Sequence, residues 1–234
     1  MTLLSVVKDV CAVVGVAVPQ SVFSNITGNR TMQEMLSLAN EMAQRIAYDN
    51  RDWTALITAG KHTGDGVLQG YVLPANYKRL MLTSNVRRSS NPNQPMTFVP
   101  DMDEWVTRTL RGTTYGTGDW RIHLNSIFYR PILALGETSS FVYVDKNCIN
   151  LASGGRGDVF MSDDDTFVLD ERLLKLGMIW QWKSSHGASY AEDLGTYGDA
   201  LGYAMGHDSP APIILGRKPI SSSATVAYPW PVPT

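Results

Sequence analysis

Three adjacent carboxylates, Asp163-Asp164-Asp165, form the densest acidic run in the chain. A hard cation such as Ca²⁺ or Mg²⁺ takes oxygen ligands of this kind, and a water held on it would make the run a hydrolase centre. Three consecutive aspartates cannot all face one ion without a loop, and no EF-hand spacing follows them. The expectation is therefore a solvated loop before Thr166 and a helix capped by Asp170. A second group, Asp101, Asp103 and Glu104, lies at a helix start, where the helix dipole favours negative charge.

Other catalytic patterns fail on inspection. Gly60-Lys61-His62-Thr63 has His62 where a phosphate loop needs Ser or Thr, and Ala55 where it needs Gly. Gly112, Gly116 and Gly118 are wrongly spaced for a dinucleotide fingerprint and precede a strand, not a helix. No Gly-x-Ser-x-Gly elbow occurs. His62, His123, His186 and His207 are scattered, with no pair at zinc-ligand spacing. Cys11 and Cys148 stand far apart, which excludes a disulfide scaffold and a four-cysteine zinc site. The Asn-x-Thr triplets at Asn25 and Asn29 read as chance matches. The chain reads as a non-enzyme, with no catalytic, cofactor-binding or metal residue expected.

Composition points the same way. Among 234 residues, 44 % are apolar and 18 % charged, so a sizeable core forms and the chain is not disordered. A net charge of −2 argues against a protein that lives off phosphate contacts. The apolar stretch Val10–Val18 is short, contains Gly15 and follows Lys8 and Asp9, so it reads as a core helix rather than a secretory leader. Nowhere do eighteen apolar residues run together, so no membrane span is expected.

The elements that must position any site fall into four stretches. Residues 1–60 are expected to supply N-terminal helices: one capped by Thr2 and closed by Gly15, and one opened by a capping box, Thr31-Met32-Gln33-Glu34. Met32, Met35, Leu36, Ala39, Met42, Ala43 and Ile46 recur at helical spacing to an end near Asp49-Asn50, with Glu41 and Arg45 paired outside. Residues 61–160 change period and predict a β-rich antiparallel insertion. Its strands are Val67–Leu73, Leu80–Ser84, Trp120–Leu124, Ile127–Arg130 and Ser139–Val144, with a hairpin turn at Asn125-Ser126. One short helix, Asp101–Arg111, turns Trp105 and Leu110 inward. Residues 161–207 return to helix. One helix, from Asp170 to Gly187, is apolar on two faces and so lies between layers. The last runs from about Ser189 to Met205, with Tyr190, Leu194, Tyr197, Leu201 and Met205 as its packed stripe. Gly195, Gly198 and Gly202 leave a bare groove on it. The fold class is α+β: a helical bundle carrying a β insertion and an extended C-terminal arm.

That arm, 208–234, holds six of the twelve prolines, which no helix or central strand tolerates. As polyproline II it would reach roughly 80 Å. It carries only Asp208, Arg217 and Lys218 as charges, against a run of large apolar groups. Each such group left in water forgoes roughly 1.5–3 kcal/mol of burial. The arm is expected to dock on a surface, with Ile213, Ile214, Leu215, Tyr228 and Trp230 as anchors on a partner or a neighbouring copy; docking back on the chain's own body is the alternative.

In order along the chain, several segments resemble one family. They begin with the helix Met32–Tyr48 and the pair Asp52-Trp53, and continue with Tyr71-Val72-Leu73-Pro74-Ala75-Asn76-Tyr77-Lys78-Arg79-Leu80. Then come Trp120-Arg121-Ile122, Tyr129-Arg130-Pro131, Gly136-Glu137-Thr138, and Phe141-Val142-Tyr143 with Lys146-Asn147. The stretch from Asp163 to Trp182 follows, and last Tyr190-Ala191-Glu192-Asp193. Over residues 1–205 or so the chain resembles the head-to-tail adaptor (connector) proteins of tailed bacteriophages, including the tail tubular protein A group. The resemblance implies a structural virion protein at the head–tail junction, assembled in the host cytoplasm. It implies a homo-oligomeric ring, usually a dodecamer, below the portal protein and above a tail or nozzle protein, with viral double-stranded DNA passing through unbound. A heterologous interface closes into such a ring when its rotation is right.

A rival from another class is a carbohydrate- or ligand-binding β module of a phage particle, with Trp105, Tyr115 and Trp120 as stacking groups.

Overall fold

The structure is a computed structural model that describes residues 1–208, apart from 25, 27, 82, 83 and 113–115. The arm beyond Asp208, with Ile213, Ile214, Leu215, Tyr228 and Trp230, lies outside the described residues, as does Tyr115.

The chain opens with α1 (Leu3–Val14), whose Thr2 hydroxyl accepts from the Ser5 amide at 3.4 Å. Gly15 closes it at φ 77, a left-handed conformation that a side chain would strain. Helix α2 (Arg30–Tyr48) follows, ending at Asp49 as its periodicity predicts. Its start corrects the capping-box expectation. Asn29, not Thr31, is the cap, taking the Met32 amide on Oδ1 at 3.3 Å. Thr31 is already helical, so Glu34 is free to pair with Arg30 one turn back at 2.7 Å. The Arg45–Glu41 pair forms as expected, at 3.0 Å.

The β-rich part begins with β1 (Ile57–Thr63), after a 3₁₀ turn at Thr54–Leu56. Then come β2 (Gly70–Val72), β3 (Tyr77–Leu80), β4 (Arg87–Arg88), β5 (Asn91–Pro95), β6 (Thr97–Phe98), α3 (Met102–Arg111), β7 (Asp119–His123), β8 (Ser126–Arg130) and β9 (Thr138–Asp145). One sheet has the order β1-β9-β4-β5, with β3 also on β9; a second has the order β2-β8-β7-β6. All pairings are antiparallel except β6 with β7.

Several local expectations shift. The β7–β8 turn is Leu124-Asn125 rather than Asn125-Ser126, because Ile122 pairs with Ile127 and His123 with Ser126. Leu124 takes φ 52 and is 88 % exposed, an unusual residue for that conformation. Strand β2 covers only the end of Val67–Leu73, since Val67 and Leu68 instead donate their amides to the Asp65 carboxylate in a turn. Strand β3 starts earlier than Leu80. Leu110 is 83 % exposed, so α3 turns inward through Trp105 alone.

A small three-stranded sheet, β11-β10-β12, combines β10 (Ile149–Asn150), β11 (Arg156–Gly157) and β12 (Thr166–Phe167). It leads to α4 (Glu171–Ser185), capped by Asp170, and α5 (Ala191–His207). Helix α4 packs against α1, α2 and α5, which is why it is apolar on two faces. A Cβ at Gly177 would strike Met42 Cε, so glycine permits the close approach of α2 and α4.

Two hydrophobic cores result. One joins α1, α2, α4 and Tyr197 of α5 to Trp53, Val144, Cys148, Ile149, Phe160 and Phe167. The other fills the β-rich part with Leu73, Val86, Met96, Trp120, Ile127, Tyr129, Leu133, Phe141 and Tyr143. The fold is α+β. No helix among the described residues is long and apolar enough to cross a membrane.

Candidate functional site

Two of the three aspartates, Asp163 and Asp165, are engaged by the backbone, while Asp164 is exposed. Asp165, 1 % exposed, takes the amides of Ala152 at 2.8 Å, Met161 at 2.6 Å and Ser162 at 2.7 Å. Asp163 takes the amides of Val22 at 2.9 Å and Phe23 at 3.3 Å, and the Ser21 hydroxyl. No group of three His, Cys, Asp or Glu side chains among the described residues could hold a metal ion. Asp101 caps α3, and Glu104 pairs with Arg108 one turn on.

Of the aromatic groups of the rival reading, Trp105 and Trp120 do not form an open platform. Trp105 is 7 % exposed and Trp120 6 %. The guanidinium groups of Arg121 and Arg130 each lie 5.9 Å from the Trp105 ring, and Phe98 packs on Trp120 at 4.6 Å. Beneath them Asp119, fully buried, pairs with Arg108 at 2.9 Å and with Arg130. A sugar ring needs an exposed aromatic face, and these faces are spoken for.

His62 is partly buried among aromatic rings, whereas His123, His186 and His207 are exposed. His62 lies over Tyr71 with ring centres 5.4 Å apart, and its Nδ1 is 2.8 Å from the Tyr129 hydroxyl. Burial lowers the His62 pKa, against a smaller raising effect of the Val72 carbonyl. Burial likewise raises the pKa of Tyr129. His186 stacks on Trp182 at 4.1 Å, and His207 meets the Tyr203 ring at 4.2 Å. His123 sits at the end of β7, 6.4 Å from the Phe128 ring. Cys11 and Cys148 are free and buried, and burial raises both thiol pKa values.

What the structure does build is a fixed exit for the arm. Asp208 receives the Thr54 amide on both carboxylate oxygens at 3.2 Å, and the Thr54 hydroxyl as well. Arg51 pairs with the same carboxylate at 3.4 Å and donates to the Met205 carbonyl. The end of α5 is thus clamped to the link between α2 and β1. Beside the clamp opens a groove lined by Trp53, Ala55, Val168, Leu169, Leu173, Tyr203 and Ala204, with Asp170, His207 and Asp208 completing it. Tyr203 is 70 % exposed at its edge.

No protein-family model and no curated protein matches this chain.

Other apolar groups also face outward. Met102, Val106 and Leu110 run along α3 at successive turns, with Phe98 exposed as well. Leu135 stands beside the Gly64–Leu68 turn, which is tied to it by the Gly136 amide on the Gly64 carbonyl at 2.9 Å. On α5 the Cβ positions of Gly195, Gly198 and Gly202 meet nothing within 4 Å, so the bare groove expected there is open. The upper part of the expected stripe is also loose, with Tyr190 39 % and Leu194 40 % exposed, while Tyr197 is buried. The clamp was invisible to sequence reasoning. Thr54 and Asp208 lie 154 positions apart, and neither belongs to a motif.

Proposed function

We propose that this chain is a structural subunit, the head-to-tail adaptor of a tailed bacteriophage. Copies of it form a ring at the head–tail junction, usually twelve in such collars. The ring sits below the portal protein, joins a tail or nozzle protein, and lets double-stranded DNA pass without specific binding. The arm 208–234 docks on the portal or a neighbouring subunit through Ile213, Ile214, Leu215, Tyr228 and Trp230.

The observation that carries this reading is the clamped exit. The α+β body holds Asp208 through Thr54 and Arg51. From there 26 residues continue, rich in proline and large apolar groups and carrying two charges, Arg217 and Lys218. A stiff apolar segment launched from a fixed point suits a joint between subunits, because its direction is set before the partner arrives. The ordered resemblance along residues 1–205 points to the same class. Further support comes from what the acidic and aromatic groups do: the backbone takes up Asp163 and Asp165, and neighbouring side chains cover Trp105 and Trp120.

The test is the mass in solution of the purified protein, alone and mixed with a portal protein from the same source. The expected result is a ring-sized complex with the portal. It should be lost when residues 209–234 are removed and Asp208 is kept, while the truncated protein stays folded. A complex of unchanged yield without the arm would overturn the role of the arm. No association with portal or tail proteins by the full chain would overturn the adaptor reading.

A further inference from the structure

The groove beside Asp208 has no occupant among the described residues, yet two core residues reach its lining. Trp53 and Leu173 form its floor, 4 % and 1 % exposed, and Val168, Leu169 and Ala204 flank them. The chain leaves the described structure at its edge. Tyr203 and His207, both in the lining, are within two turns of Asp208 on the same helix, and Thr54, bonded to Asp208, sits between Trp53 and Ala55 of the lining.

We propose that in the isolated subunit this groove is filled by the chain's own Ile213-Ile214-Leu215. The inference goes beyond the adaptor reading and holds whatever Tyr228 and Trp230 engage. Three observations converge on this occupant. Reach comes first: Ile213 lies five residue steps beyond Asp208, at most about 18 Å when extended, whereas the groove begins at Asp208 itself. Composition comes second. Residues 209–216 read Ser-Pro-Ala-Pro-Ile-Ile-Leu-Gly, with no charge, and the two prolines demand no partner for an N–H. Arg217 and Lys218 follow at once, and Asp170 in the lining offers them the opposite sign. Tethering comes third. A short linker holds its end at an effective concentration of about millimolar, far above that of any free partner at ordinary protein concentrations. The seat would thus store the proximal arm until assembly presents a better surface.

Cysteine pairing in the full-length protein tests this directly, since Cys11 and Cys148 are buried. Ala55→Cys combined with Ile214→Cys should form a disulfide within one chain under mild oxidation. Its rate should not depend on protein concentration, and it should be at least about tenfold faster than for Lys61→Cys with Ile214→Cys, seven positions along the chain from Thr54. Equal rates for the two pairs would overturn the proposal. So would cross-links confined to dimers, which would place a neighbour's arm in the groove. As a second measurement, Ile213→Asp with Ile214→Asp should speed amide exchange at residues 53–56 and 168–173 several-fold. Unchanged exchange there would equally overturn it. Neither readout involves the portal, so failure here and failure of the adaptor reading are separable.

Discussion

Tyr143 and Val144, adjacent on β9, enter two different hydrophobic cores. Tyr143 packs with Phe141 and Tyr129 in the β-rich core, and Val144 packs with the helices. Alternation along a strand sends neighbouring side chains to opposite faces. Here the two faces belong to two layers, so β9 is the beam that joins them. It pairs with β1 along seven residues on one edge, and with β3 and β4 on the other.

Unfolding should therefore be cooperative across both cores. Val144→Ala removes two buried methyl groups and should cost about 1–3 kcal/mol. It should lower a single thermal transition seen equally by near-UV aromatic signals and by helical far-UV signals. Two separated transitions would show that β9 does not couple the layers.

Asp165 is expected to be a structural carboxylate. Asp165→Ala leaves three part-buried amides without their acceptor and should cost about 1–3 kcal/mol. Chemical denaturation measures the loss. For the same reason neither Mg²⁺ nor Ca²⁺ at millimolar levels should raise the Tm of the unaltered protein, which a thermal shift assay checks.

The pH response of the β-rich part should carry the mark of His62. Burial holds its pKa below the ordinary value near 6.5, so folding favours the neutral ring. The stabilisation is complete above the unfolded value and is lost as pH falls through the folded one, because the unfolded chain takes up the proton first. Urea unfolding at pH 7.5 and pH 5 should show this fall. His62→Gln, which cannot titrate, should flatten it.

The clamp at the arm exit should matter locally. Asp208→Ala removes the Thr54 and Arg51 contacts and should cost about 1–2 kcal/mol. Amide exchange should quicken at the end of α5 first, while α1 and α2 stay protected. Exchange unchanged at residues 203–208 would show that the clamp does not hold the exit.

The helices were legible from the residues alone because their signals are local. A 3.6-residue apolar period marked α2, apolar groups on two faces marked α4, and Thr2, Gly15 and Asp170 marked boundaries within one turn of themselves. Where two local options competed, reading failed. Asn29 and Thr31 are both good caps, and the choice fell to the one that leaves Glu34 to Arg30. Leu110 looked like a core residue because α3 is amphipathic, but among the described residues no layer covers its far side.

The sequence by itself determined the α+β class, the central buried helix and the apolar, proline-stiffened nature of residues after Asp208, since each follows from periodicity or composition. Only the tertiary structure decided which strands pair, that one strand serves two cores, and that Thr54 and Arg51 seize Asp208 beside an apolar groove. Those relations join residues up to 157 positions apart, as Arg51 and Asp208 are. They depend on where the backbone carries each group, and no pattern of neighbouring residues encodes that.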